Sequence, residues 1–451
     1  LSSDDRQLND TSETAGSAGV PVVKSAEARS HVGERVRLQG WVHRIRALGK
    51  ISFIILRDRM GLIQTVADAK QDVSQLTHES VVEIQGTIVE AKKVDLGVEL
   101  HVEEIKVISA SPSELPIEIN KPLEISHTGL DRVLDYRPLS LRNLKVRAIF
   151  KVQAEILWAF SHFMRSKGFT EIKTSKIVST GTEGGAEVFE VKYFERSAYL
   201  AQSPQFYKQI MVGSGLERVF EIGQVYRAEK HETSRHLNEY TSLDYEMGFI
   251  ESEQDVIRME EELLSFVFGH LSEACSEELK IYEAKVPVFD GIPQFTLAEA
   301  CAILKDKYGK DLEGAGDLDN EGEGLVCRHA AETQGVPMAF ITQYPAGKRP
   351  VYTMPRADDP SLTTSFDLLF DGLEVTTGSQ RIHDYDMLVG NMRNFGLNPD
   401  DFGFYLQTFR YGMPPHGGLA IGLERLTKQV LGLDNVKEAT LFPRSVRRIS
   451  P

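Results

Sequence analysis

The run from Phe220 to Met247, FEIGQVYRAEKHETSRHLNEYTSLDYEM, constrains this chain more than any other stretch of it. Its two ends alternate apolar and polar residues with the period of two that marks β-strands, and the polar centre between them reads as a loop. Such a pair buries one face and aims its charges from the other. Arg227 and Glu229 stand two apart on an expected strand and so share a face. The arginine fork suits a phosphate, and the glutamate can accept hydrogen bonds from an adenine amino group. Arg235 and His236 follow in the loop within reach of terminal phosphates, and Tyr240 offers a ring to stack on a base. An Arg–Glu pair alone is usually a surface salt bridge of little energetic weight. Its meaning therefore depends on the partners supplied elsewhere.

Three further elements supply them. In FRYGMPPHGGLAIGLERLTKQVLG, Phe409 to Gly432, the glycines at 417, 418 and 422 are expected to let backbone approach a flat ligand. Arg425 then opens a turn or helix from which its guanidinium can cover adenine and touch a phosphate. In FDLLFDGLEVTTGSQR, Phe366 to Arg381, Glu374 sits on a strand leading to Thr377, a hard-oxygen pair suited to Mg²⁺ on triphosphate oxygens. In TEGGAEVF and QSPQFYKQ, Glu183 lies in a Gly-rich loop, and Lys208 follows Gln205 by three on one helical face. Lys208 and Arg410 together are expected to clamp a side-chain carboxylate, which would favour aspartate over asparagine by charge. Neither the G-x-x-x-x-G-K-[ST] phosphate loop nor a G-x-G-x-x-G fingerprint after a strand occurs.

The net charge of −15 argues against a protein that coats nucleic acid through bulk electrostatics. Residues 22–110 escape that acidity, with 13 Lys plus Arg against 12 Asp plus Glu. No apolar run approaches the roughly 20 residues of a membrane span, and no secretory signal opens the chain, so no membrane role and a cytoplasmic location are expected. Cys275, Cys301 and Cys327 lack the spacing and histidine neighbours of a zinc site.

The expected organisation begins with a disordered, Ser- and Asp-rich tail over 1–20. Residues 21–110 then read as five short strands, with a helix-sized gap near Val73 to His78, closing into a barrel of the oligonucleotide-binding (OB) type. A proline-stiffened linker covers 111–142, with Pro112, Pro116, Pro122 and Pro138 in or beside it. The rest, 143–451, reads as an α+β domain on a mostly antiparallel sheet flanked by helices. Its first helix is expected from Asn143 to Lys167 with a stop at Gly168, another spans Glu253 to Glu278, and Gly309 to Gly324 reads as an acidic, solvated loop.

Taken together, these elements resemble the class II aminoacyl-tRNA synthetases, and within them the aspartyl-tRNA synthetases of archaeal and eukaryotic type. GFTEIKTSKIV resembles the family's motif 1, YRAEKHETSRHLNE its motif 2 and GGLAIGLERL its motif 3, with Ser175 where motif 1 has proline and Ala420 where motif 3 has glycine. The resemblance implies that Arg227 and Arg425 are the catalytic arginines. It implies an ATP site of Arg227, Glu229, Arg235, His236, Tyr240, Glu374, Gly422 and Arg425, with Mg²⁺ on Glu374 and Thr377. An aspartate site of Glu183, Gln205, Lys208, Arg227, Asp244, Thr377, Arg381 and Arg410 follows in the same way. In the barrel, Phe53 matches an aromatic that stacks on an anticodon base and Gln64 a residue that reads one.

The implied activity is ATP-dependent attachment of L-aspartate to tRNA through an aspartyl-adenylate, by a homodimer. Family members restricted to tRNA-Asp tend to carry tryptophan where this chain has His43, and a lysine resembling Lys93. On the His43 match, charging of both tRNA-Asp and tRNA-Asn is expected. A discriminating aspartyl enzyme, an asparaginyl-tRNA synthetase and an inactive RNA-binding protein stand as the alternatives.

Overall fold

The computed structural model describes residues 19–112, 114–179 and 187–451; most of the expected N-terminal tail and Glu183 lie outside the described residues. The chain divides into two compact units, Leu1–Lys121 and Pro122–Pro451.

In the first unit, β1 (Arg35–Leu48), β2 (Ile51–Arg57), β3 (Leu62–Ala67), β4 (Val81–Glu90) and β5 (Val98–Ser109) close into a barrel in the order β1-β2-β3-β5-β4. Strand alternation sends Val36, Leu38, Ile54, Leu56, Ile63, Val82, Ile84 and Leu100 inward, which is the core of an OB-type barrel. The strands cross closely: a Cβ at Gly86 would lie 2.0 Å from the His101 carbonyl oxygen, so only glycine fits there. The gap near Val73 to His78 holds turns rather than a helix. Asp72 accepts hydrogen bonds from the Ser74 backbone N–H (2.9 Å) and hydroxyl (2.5 Å), a local turn that competes with helix formation. The unit's helical segment precedes β1 instead, as a 3₁₀ turn over Ser25–His31 tied to Asp58 through Ser25.

The second unit opens with three short helices, α1 (Ile125–Thr128), α2 (Leu130–Asp135) and α3 (Arg137–Ser140), within the span read as a proline-stiffened linker. Pro138 sits in the first turn of α3, where a missing N–H costs nothing. Buried Arg137 then donates to the Glu438, Thr440 and Leu441 carbonyls, so the segment is folded against the C-terminal region rather than free. Helix α4 (Leu144–Ser166) matches its expected span, capped by Asn143 and stopped at Gly168, whose φ is +80°. It buries Ile149, Val152, Ile156, Phe160 and Phe163.

After it come β6 (Thr170–Glu171), β7 (Ile177–Val178), β8 (Glu190–Tyr193), β9 (Arg196–Leu200), α5 (Gln205–Met211), β10 (Arg218–Tyr226) and β11 (Glu239–Gly248). The expected Glu253–Glu278 helix is two, α6 (Glu253–Ala274) and α7 (Ser276–Ile281), divided at Cys275. β12 (Gln294–Thr296), α8 (Leu297–Tyr308), α9 (Asn320–Gln334), β13 (Met338–Thr342), β14 (Ser365–Phe370) and β15 (Leu373–Arg381) follow. The acidic stretch ending at Gly324 is thus helical from Asn320. Asp319 caps that helix by accepting from Gly322 N–H, and Glu321 and Glu323 favour the positive end of its dipole. The chain ends through α10 (Tyr385–Asn394), α11 (Gly403–Arg410), β16 (His416–Gly422) and α12 (Leu423–Leu431). Among the described residues no helix is long and apolar enough to cross a membrane.

Eight strands form one sheet in the order β12-β13-β14-β15-β16-β11-β10-β6, antiparallel except at its two edge pairs. Residues paired across antiparallel strands point to the same side, so each row has one chemistry. The row Phe366–Gly378–Leu419–Tyr245–Phe220 belongs to the core shared with α4 and α6. Gly378 leaves room there for the Phe366 ring, since a Cβ would come within 2.3 Å of it. The neighbouring row, on the other side, reads Asp367–Thr377–Ala420–Asp244–Glu221. Each acid in that row has its own cation: Arg349 for Asp367, Lys208 for Asp244 and Lys176 for Glu221.

Candidate active site

Strand β10 ends at Tyr226, so Arg227 and Glu229 lie in the loop just beyond it, not on the expected strand. Asn238 takes over from the ladder. Its side-chain amide donates to the Arg227 and Glu229 carbonyls at 2.8 and 2.9 Å, and its own carbonyl accepts from Arg227 N–H at 2.9 Å. The loop thus presents Arg227 and Glu229 on one side, 3.7 Å apart, with the Arg227 guanidinium 5.7 Å from the Tyr240 ring centre. His236 stands 3.8 Å from Glu229 and shares a 2.6 Å hydrogen bond with the Thr233 hydroxyl.

Facing this loop, Arg425 on the first turn of α12 donates to the Glu374 carbonyl at 2.9 Å and to the Arg235 carbonyl at 3.4 Å. Beneath it the Glu374 carboxylate accepts from the Thr377 hydroxyl at 2.8 Å. Arg227, Glu229, Arg235, His236 and Tyr240 from one side, and Glu374, Thr377, Ala420, Gly422 and Arg425 from the other, line one cleft. Gly422 lines the cleft, but Gly417 and Gly418 do not. A Cβ on Gly418 would stand 2.1 Å from the Tyr245 carbonyl oxygen, and one on Gly417 2.7 Å from Ile250. Strand packing, not approach to a ligand, requires those two glycines.

Burial works to raise the Glu374 carboxyl, but Arg425, the Thr377 hydroxyl, Arg349 and Arg227 outweigh it and hold the group ionised below its usual range. Burial lowers His236, with Arg425 adding to the effect against Glu229, which keeps the imidazole neutral near pH 7. Burial also pushes Glu323, which pairs with Arg235, up to about 7. Glu424 is pushed up to about 7 by burial too, and receives the Thr241 backbone N–H on both oxygens at 3.1 Å.

The row that carries Thr377 and Ala420 into the cleft continues to Asp244, and there a buried charge cluster begins. Lys208, 1% exposed, donates to Asp244 at 3.0 Å and to the Leu419 carbonyl at 2.9 Å, and lies 3.4 Å from Glu246. Arg381 pairs with Glu246 at 3.0 Å and donates to Ser379, Gln205 and the Gly418 carbonyl. Gln205, Lys208, Asp244 and Arg381 are thus brought together as expected. Arg410 ends α11 and is exposed, and the Lys208 ammonium is enclosed by carboxylates and carbonyls. Sequence reasoning missed the layer beneath. Tyr405 donates to Gln209 at 3.0 Å, Gln209 shares a 2.8 Å bond with His416, and His416 meets the Pro414 carbonyl. His383, two residues after Arg381, has a buried Nδ1 with no partner among the described residues. The i, i+2 spacing of Arg381 and His383 at a strand end was the one local signal.

In the barrel, register places Arg46, Phe53 and Val66 in one outward row and Arg44, Ile55 and Gln64 in the next. Phe53 is half-buried, Gln64 donates to Glu99 at 2.7 Å, and Lys93 is exposed in the β4–β5 turn. A β-bulge between Val42 and Arg44 turns His43 inward, 7% exposed, with Nδ1 3.2 Å from Arg57, itself in a buried pair with Glu79. Burial, with Arg57 adding to it, lowers its pKa to about 4. Any influence of His43 on a base must therefore pass through Arg57 or the bulge.

For a metal, the described residues offer no group of three or more His, Cys, Asp or Glu. Glu374 and Thr377 present a carboxylate and a hydroxyl on the cleft. Such a partial, hard-oxygen donor set fits Mg²⁺, which keeps waters and draws further ligands from substrate phosphates.

Residues 130–446 match the family described as class II tRNA synthetases (D, K and N), and residues 36–108 match the OB-fold nucleic acid binding domain. The chain is 47% identical over 435 residues to the aspartate–tRNA(Asp/Asn) ligase of Aeropyrum pernix, covering 94% of this chain and 98% of that one. It is 42% identical to the aspartate–tRNA(Asp) ligase of Pyrococcus abyssi, covering 93% and 97%. Among solved structures, the asparaginyl-tRNA synthetase of Pyrococcus horikoshii complexed with asparaginyl-adenylate superposes with a TM-score of 0.89 at 31% identity, covering 95% of this chain and 99% of that one.

Proposed function

This chain belongs to the class II tRNA synthetases of the D, K and N type, and we propose that it activates L-aspartate with ATP and transfers it to both tRNA-Asp and tRNA-Asn. The observation that carries the choice of amino acid is the row Thr377–Ala420–Asp244, which leads from the cleft to Lys208. One side of the floor suits a nucleotide and its metal; the other suits a small acid held beside a buried ammonium.

In this reading Glu229 accepts from the adenine amino group, Tyr240 and Arg425 bracket the base, and Arg227 neutralises the α-phosphate and the substrate α-carboxylate. Arg235 and His236 lie toward the terminal phosphates. Glu374 and Thr377 would hold Mg²⁺, which would offset triphosphate charge. The α-carboxylate of aspartate attacks the α-phosphorus, a C(O)–O–P bond forms, and the bond to pyrophosphate breaks. A ribose hydroxyl at the 3′ end of tRNA then attacks the activated carbonyl, and AMP leaves. The protein supplies positioning and charge, not a nucleophile.

Lys208 and Asp244 shape the aspartate pocket, with Gln205 and Arg381 behind them and Arg410 at its rim. Glu183 is assigned to the amino group by resemblance alone. Phe53, Gln64 and Lys93 on the barrel receive anticodon bases, and His43 tunes that surface from beneath. The homodimer and a cytoplasmic location complete the proposal. Support for the double tRNA specificity comes from the Aeropyrum pernix relative, while the Pyrococcus abyssi relative supports the discriminating alternative. Charging purified tRNA-Asp and tRNA-Asn with labelled aspartate in parallel separates them. Acceptance by tRNA-Asp alone removes the double specificity.

A further inference from the structure

Arg235, at the cleft, is held by three groups, two of them from α9. Its Nη1 donates to Glu323 at 2.5 Å and to the Asn320 side chain at 2.6 Å, both on the first turn of α9, and its Nη2 donates to the Gly372 carbonyl at 2.5 Å. Those partners are themselves fixed. Gly372, at φ +78° in the β14–β15 turn, packs so closely on α9 that a Cβ there would stand 2.8 Å from the Gly324 Cα. Gln429 of α12 grips the same turn from the other side, donating to the Phe370 and Asp371 carbonyls at 2.6 and 3.1 Å. The backbone of Arg235 in turn accepts from Arg425 Nε at 3.4 Å, and Arg425 reaches the Glu374 carbonyl at 2.9 Å.

Three of the five guanidinium N–H donors of Arg235 are thus taken by a carboxylate, an amide and a carbonyl. We propose that Glu323 is a positioning residue for the nucleotide: by anchoring the Arg235 side chain to α9 it sets the Arg235 carbonyl, and through it the arginine that faces the base, Arg425. Arg235 thereby acts as a strut between α9 and the loop. This rests on the cleft being the ATP site.

The test measures ATP–pyrophosphate exchange with saturating aspartate for the wild type, E323A, E323Q, R235A and the double variant E323A/R235A. Glu323→Ala is expected to raise the KM for ATP about tenfold while leaving kcat and the aspartate KM within about twofold, because a strut lost from the nucleotide wall weakens binding of that substrate selectively. Glu323→Gln, whose amide oxygen still accepts from Arg235, is expected to restore most of the affinity. The double variant should be no worse than R235A alone. An unchanged ATP KM in E323A, equal losses toward ATP and aspartate, or additive effects in the double variant would each overturn the inference. Absence of exchange in the wild type would instead overturn the proposed activity.

Discussion

Lys208→Met keeps the length of the side chain and deletes its charge, and so isolates what the buried ammonium does. At 1% exposure Lys208 has no water to fall back on, and its loss acts unequally on the two acids beside it. Glu246 keeps Arg381 at 3.0 Å, but Asp244 loses its counter-ion while its second oxygen is already buried without a partner among the described residues. Breaking a buried pair from one side costs about 3–5 kcal/mol, and the surviving Glu246–Arg381 pair places this case near the lower figure, about 3 kcal/mol. Adding Asp244→Asn removes the orphaned charge, and K208M/D244N should recover about 2 kcal/mol of that loss. Urea unfolding followed by tryptophan emission in a W41F background reads the unit concerned, since Trp158 then reports alone. Both variants should lose aspartate-dependent exchange. If K208M unfolds within about 0.5 kcal/mol of the parent, or D244N deepens its loss, the pair is not the buried, mutually compensating one described here.

Three other outcomes follow from the same geometry. Gly418→Ala forces a Cβ to 2.1 Å from the Tyr245 carbonyl oxygen and should cost about 2–3 kcal/mol by overpacking, whereas Gly422→Ala, at the open cleft, should leave stability within about 0.5 kcal/mol; thermal melts compare them. His416 is lowered by burial from 6.5 to about 4, so it stays neutral in the fold while the unfolded chain takes up a proton below pH 6.5. Stability from this group is full above pH 6.5 and is lost progressively as pH falls toward 4, by about 3 kcal/mol, and His416→Gln should flatten that slope in urea titrations. Glu374→Gln removes the cleft carboxylate that Arg425 and Thr377 hold ionised. It should raise the Mg²⁺ concentration for half-maximal exchange about tenfold or more, and an unchanged Mg²⁺ dependence would place the metal elsewhere.

What was legible in the sequence was local. Alternation in β1 to β5 and the 3.6-residue period of α4 are set by neighbours a few positions apart, and both elements were readable to within a residue or two. Arg227, Glu229, His236 and Tyr240 share one loop and its flanking strand, so their convergence followed from their spacing. Roles set across the fold were not legible. Arg235 meets Glu323 from 88 residues away, Arg381 meets Glu246 across 135, and Lys208 meets Leu419 across 211. Gly417 and Gly418 read as ligand glycines because a packing requirement and a ligand requirement leave the same residue in a sequence. The burial of His43 was not legible because it follows from a bulge, which strand alternation does not announce.

In the proposed reading, the ammonium at the end of the Thr377–Ala420–Asp244 row selects an acid, not its amide. The measurement that meets it head-on is ATP–pyrophosphate exchange with aspartate and with asparagine as alternative substrates, without tRNA. Exchange driven by aspartate and at background with asparagine is the predicted result. Strong asparagine-dependent exchange would contradict it and assign this site to the amide.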